Sequence, residues 1–99
     1  MDLEGRADMD RVAQALTDAW NAGDGAAFAR CFTTDADFVN IFALHVVGRE
    51  AVAKQHRFIF DSIYRGSRNA FSIVKARELA GGVVLAHIAS ALHVPDGPL

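Results

Sequence analysis

Residues 68–94, RNAFSIVKARELAGGVVLAHIASALHV, decide the architecture. Two long runs rich in β-branched and apolar side chains flank Gly81-Gly82. A glycine pair between such runs reads as a hairpin turn, because glycine accepts the positive φ that tight hairpins need. The spacing predicts strands over Arg68–Leu79 and Val83–Val94, antiparallel to each other. With side chains alternating between faces, Val84, Ala86, Ile88, Leu92 and Val94 share the more apolar face of the returning strand, and His87 and His93 occupy the other.

Upstream of the hairpin the period changes. Gly48 breaks the chain, and Arg49 to Tyr64 reads as a helix with Val52, His56, Ile59/Phe60 and Ile63 in one apolar stripe. Residues 37–47, DFVNIFALHVV, read as a strand, a turn near Ala43 and a short second strand, with Phe38, Asn40 and Phe42 on one face. Asp24 is placed to cap a short helix whose Phe28, Cys31 and Phe32 share a face, ended by Thr33-Thr34-Asp35. A first helix carries Met9, Val12, Leu16 and Trp20 at helical spacing, with Asp8 as N-cap and Gly23 as stop. The order helix, helix, strand, strand, helix, strand, strand, with hairpin-joined neighbours, is an α+β pattern with helices on one face of an antiparallel sheet.

The chain has 99 residues, 52% of them hydrophobic and 22% charged, which suits one soluble domain with one core. A net charge of −2 gives phosphate backbones no reason to bind and argues against a nucleic-acid partner. Residues 1–48 hold eight acids and three bases, residues 49–99 four acids and seven bases. This reads first as two differing outer faces, and it also favours pairing between chains. The single cysteine, Cys31, forms no internal disulfide and sits with core residues as an inert thiol. No apolar run approaches the ~18 residues of a membrane span, and the acidic start MDLEGRADMD lacks signal-peptide character, so a cytoplasmic protein without membrane contact is expected.

Four histidines, His45, His56, His87 and His93, lack metal-ligand spacing, and neither a nucleophile-elbow serine nor a phosphate loop is present, so no metal or cofactor is expected. His56 stands on the inward stripe of its helix, either satisfied at the core edge or lining a cavity. Asn40, between Phe38 and Phe42, poses the same choice. Trp20 and Tyr64 read as core aromatics whose polar tips reach a rim. Asp35 and Asp37 suit a turn better than a catalytic pair.

Taken together, Trp20-Asn21-Ala22-Gly23-Asp24, Ala27, Phe32, Asp35-Ala36-Asp37-Phe38-Val39-Asn40, Gly48-Arg49 and His56 resemble the SnoaL-like, ketosteroid-isomerase-like superfamily, and within it the SgcJ/EcaC group of uncharacterised proteins. The resemblance covers roughly residues 9–94. It implies a cone-shaped fold in which a curved sheet wraps helices and encloses a pocket, commonly as a homodimer. It also implies departures. Asn40 stands where the isomerases carry their general-base aspartate, Leu16 where they carry an oxyanion-hole tyrosine, and Ser90 near their protonated aspartate. An amide takes no proton at neutral pH, so steroid-type isomerisation is disfavoured and His56 is the remaining acid/base. Relatives continue past the position of Val94 through a loop and two further strands, so residues 1–99 are expected to form a single domain lacking its last two strands.

Two functions are expected as competitors, because fold alone does not decide function. One is a small-molecule-binding protein, an enzyme if His56 works as general acid/base, that takes an apolar oxygenated, polyketide-like ligand against Trp20, Asn40, His56 and Tyr64. The other is a non-catalytic ligand-binding or dimerisation module. The uncovered face and edge of the last strand imply either a longer parent chain or a homodimer through the sheet.

Overall fold

The computed structural model describes residues 3–40 and 42–95. Its elements run α1 (Leu3–Asn21), α2 (Gly25–Ala29), β1 (Asp37–Val39), β2 (His45–Val47), α3 (Arg49–Phe60), β3 (Arg68–Glu78), a 3₁₀ turn (Ala80–Gly82) and β4 (Val84–His93). This is the expected α+β order. Gly81 and Gly82 both adopt positive φ, 77° and 75°, and turn β3 into β4. At the other hairpin Ala43 takes φ 61°.

Three local expectations need correction. The first helix starts at Leu3, so Asp8 is an internal residue that pairs with Arg11 one turn on instead of capping. Val12 of its predicted stripe is 39% exposed, and Ala13 and Ala19 join Leu16 and Trp20 in the core instead. Residues beyond Phe60 leave the helix, so Ile63 is 50% exposed while Tyr64 turns inward at 8%. Asp24 does cap α2, its carboxylate accepting from the Ala27 amide at 3.0 Å. That helix stops at Ala29, and Cys31 and Phe32 follow in its closing turns.

The two hairpins form separate two-stranded sheets, β1–β2 and β3–β4, both antiparallel. The outer edge of β3 is covered by α1 through side chains. Asn21 accepts from the Asn69 amide at 2.7 Å and donates to the Asn69 carbonyl at 3.0 Å. Thr17 Oγ1 accepts from the Phe71 amide at 2.9 Å, and Arg6 donates to the Ile73 carbonyl at 3.0 Å. Alternate residues of β3 thus find helical partners where a strand would otherwise be needed, which blunts that edge. Opposite it, β4 has β3 as its one strand partner among the described residues.

The core gathers where the three helices meet. Leu16, Ala19, Trp20, Phe28, Ala29, Val52, Ala53, Phe60 and Tyr64 form one buried cluster, with Phe38, Phe71 and Val94 packed against it. Helices α2 and α3 approach so closely that a Cβ on Gly25 would lie 2.7 Å from the Arg57 amide nitrogen and 2.9 Å from the Ala53 carbonyl oxygen. Glycine is therefore what allows this contact.

Candidate functional site

His56 is the chemical centre of this core. It lies one turn beyond Val52 on α3 and is 3% exposed. Its Nδ1 is 2.8 Å from the Val52 carbonyl oxygen. A carbonyl only accepts, so Nδ1 carries the proton and donates, and in the neutral ring Nε2 is left as an acceptor. Among the described residues Nε2 has no hydrogen-bond partner.

Aromatic rings enclose the imidazole. Phe28 of α2 stacks on it at 4.1 Å between centroids. Phe38 of β1 and Phe60 of α3 meet it edge-on at 5.1 and 5.9 Å, and Trp20 of α1 at 6.3 Å. Burial among these rings pushes the His56 pKa below its ordinary value, partly opposed by the hydrogen bond to Val52. The ring is therefore neutral at physiological pH, which suits a proton acceptor.

Three of the four sequence-derived site residues come together. Trp20 touches both His56 and Tyr64, the latter at 5.6 Å. Its indole Nε1 donates to Ser67 Oγ at 2.9 Å, which fixes the ring that separates histidine from tyrosine. Asn40 follows β1, and its side-chain hydrogen bonds among the described residues lie within the turn. Its Oδ1 accepts from the Phe42 and Leu44 amides at 2.9 and 3.0 Å, so the carboxamide organises the β1–β2 turn. Of the remaining family positions, Leu16 is buried core and Ser90 donates to Asn69 Oδ1 at 2.8 Å.

Ser67 carried no signal in the sequence, because its role depends on a tryptophan 47 positions away. Phe28 and Phe38 were legible as core residues but not as walls of the histidine site. The other histidines are exposed, and His45 pairs with Asp37 across β1–β2 at 2.8 Å. Among the described residues no group of three or more His, Cys, Asp or Glu side chains is placed to hold a metal ion. No described helix is long and apolar enough to cross a membrane. A wide surface groove of about 830 Å³ lies between α1 and α2, lined in part by Val12, Asp18, Asp24, Arg30 and Cys31. It shares none of the aromatic site's residues. Burial raises the pKa of the Cys31 thiol there, against a smaller lowering by Arg30, so the group stays protonated.

No protein-family model matches the chain, and no curated protein matches it. Solved structures do. A domain of unknown function with a cystatin-like fold from Nostoc punctiforme is 25% identical, with a TM-score of 0.89 over 98% of this chain and 60% of its own. An uncharacterised cystatin-like protein from Caulobacter vibrioides is 27% identical, with a TM-score of 0.73 over 95% of this chain and 68% of its own. A protein with a ketosteroid-isomerase-like fold from Catenulispora acidiphila, in complex with trimethylamine, is 21% identical, with a TM-score of 0.63 over 89% and 65%. The chain therefore spans about three fifths to two thirds of the length of these structures. Its fold is cystatin-like and ketosteroid-isomerase-like.

Proposed function

We propose that the chain is a small-molecule-binding protein of the SnoaL-like kind, allied to the SgcJ/EcaC group, that takes an apolar oxygenated ligand against His56. The observation that carries this reading is the neutral imidazole with an unpaired Nε2 inside an aromatic enclosure. Among the described residues the buried side-chain atom without a partner is Gln55 Oε1 and not His56 Nε2, so the Nε2 lone pair is free for an incoming donor. With a ligand bound, Nε2 is the atom that accepts a proton, while the Val52 carbonyl steadies the Nδ1 proton and the imidazolium that forms. Trp20, Phe28 and Phe38 supply apolar wall. The small-molecule complex of the Catenulispora protein supports ligand binding as a use of this fold.

The test is native mass spectrometry of the purified protein for a co-purified molecule, followed by a turnover assay on whatever is found. Turnover that rises with deprotonation of a single group and disappears in His56→Ala supports acid/base catalysis. A bound molecule that is never turned over leaves a binding protein.

The second reading, a module that dimerises through its sheet, is favoured by one observation. On β4, Ile88 and Leu92 are 41% and 37% exposed on the face shared with the core-packed Val94, beside an edge without a strand partner among the described residues. Sedimentation over a concentration series measures it.

A further inference from the structure

The hydrogen bond that holds His56 also restricts what the site can recognise. The backbone NH of His56 and its side-chain Nδ1 both converge on the Val52 carbonyl, the first through the helix ladder of α3 and the second at 2.8 Å. The carbonyl has two lone pairs and no proton, so it accommodates both donors. Moving the proton to Nε2 would set the Nδ1 lone pair against a lone pair of the Val52 carbonyl oxygen. Rotating the ring to relieve that repulsion is opposed by the packing, since Phe28 covers one face at 4.1 Å and Phe38 meets the ring at 5.1 Å. The neutral imidazole therefore presents Nε2 as an acceptor and never as a donor.

We propose that His56 selects ligands by a neutral hydroxyl group on an apolar body, an alcohol or phenol, and discriminates against ligands that offer only a carbonyl. This deepens the small-molecule reading above and rests on it. A carbonyl-only ligand would meet Nε2 acceptor to acceptor and gain no hydrogen bond from it. An ammonium group has a proton to donate, and aromatic faces attract cations. Yet His56's hydrogen-bond and ring contacts are Val52, Trp20, Phe28, Phe38 and Phe60, with no carboxylate among them. The burial that disfavours a charge on the imidazole disfavours one on the ligand equally. A hydroxyl satisfies Nε2 at no such cost. Phe38 is the one half-buried wall and sits on a strand of three residues, which makes it the side chain best able to shift for a ligand.

Three probes that share one ring make the comparison: cyclohexanol, cyclohexanone and cyclohexylammonium. Each is titrated at neutral pH into the whole ¹⁵N-labelled chain, following the His56 ring nitrogens and the Trp20 indole NH. Before any probe is added, Nδ1 should show the shift of a protonated ring nitrogen and Nε2 that of an unprotonated one. Cyclohexanol should then bind about tenfold or more tightly than cyclohexanone, and more tightly than cyclohexylammonium, with Nε2 moving on binding. In His56→Phe the preference for the alcohol should vanish. A protonated Nε2 in the free neutral protein overturns the inference without any variant. Equal or tighter binding of the ketone or the ammonium overturns it while leaving small-molecule binding standing. If no probe perturbs either residue, the binding reading falls and the inference with it.

Discussion

Phe28 lies almost flat on the imidazole of His56, with planes 26° from parallel and centroids 4.1 Å apart. One ring belongs to the five-residue α2 and the other to α3, so the stack clamps the two helices together. Gly25, three residues before Phe28, permits the approach by having no side chain. Position of the imidazole and packing of the helices are therefore one problem.

Acidification should expose this coupling. Folding lowers the His56 pKa below its ordinary value, because burial disfavours the charged ring. The unfolded chain then binds more protons in the window between that lowered value and about 6.5, so stability rises with pH there and is lost as pH falls. No charged group stands among the contacts of the ring to compensate. Urea midpoints measured across that window should fall on acidification in the wild type and vary less in His56→Phe. A wild-type midpoint that climbs as pH drops through it would contradict buried neutrality.

Gly25→Ala tests the helix contact itself. The added carbon would meet the Arg57 amide nitrogen at 2.7 Å and Cγ at 2.8 Å, closer than packed atoms come. Part of this is backbone, which cannot swing away. Overpacking of this kind costs about 1–3 kcal/mol. Chemical denaturation should show the loss, and the His56 ring signals should move with it. At Gly66, with φ 70° and nothing within 4 Å of a Cβ, alanine meets only backbone strain and should cost about 1 kcal/mol without disturbing His56.

The α1–β3 seam predicts a different loss. Asn21 satisfies both the amide and the carbonyl of Asn69, which is 5% exposed. Asn21→Ala leaves those backbone groups without their partner, and a buried unsatisfied group costs about 1–3 kcal/mol. Hydrogen exchange at Asn69 should accelerate more than at residues in the β1–β2 hairpin. Uniform acceleration across both would mean that the seam is not a local device.

Much of this fold was legible because its signals are local. Gly81-Gly82 announces a turn through backbone freedom, Asp24 announces a helix start through its carboxylate, and the Val52–His56–Phe60 spacing announces the buried face of α3. The helix ends were less legible. Asp8 has the chemistry of a cap, but nothing local stops a helix from running through it, and α1 does run through it from Leu3. Long-range pairings were not legible at all. Trp20 to Ser67 and Asn21 to Asn69 join residues 47 and 48 positions apart, and neither serine nor asparagine advertises its partner. For the same reason the candidate site was seen as four residues, whereas its walls include Phe28, Phe38 and Phe60, each of which reads in isolation as ordinary core.

Asn40 tests how far the proposed ligand site extends along β1. Its Oδ1 holds two amides of the turn, those of Phe42 and Leu44, and the main chain adds a third bond as the Asn40 amide donates to the Leu44 carbonyl at 3.1 Å. Ala43 inside this turn carries φ 61°, a conformation that a β-carbon disfavours, so the asparagine offsets local strain. Asn40→Ala should therefore loosen the β1–β2 hairpin and lower stability by about 1 kcal/mol. Asn40→Asp, whose carboxylate oxygens can accept the same two amides, should recover most of that loss. Binding of cyclohexanol at His56 provides the second readout. If Asn40 serves the turn alone, the aspartate variant binds the probe as the wild type does. If it also contacts ligand, affinity drops in both variants while the hairpin of the aspartate variant stays intact, and the site then reaches from α3 to the tip of β1.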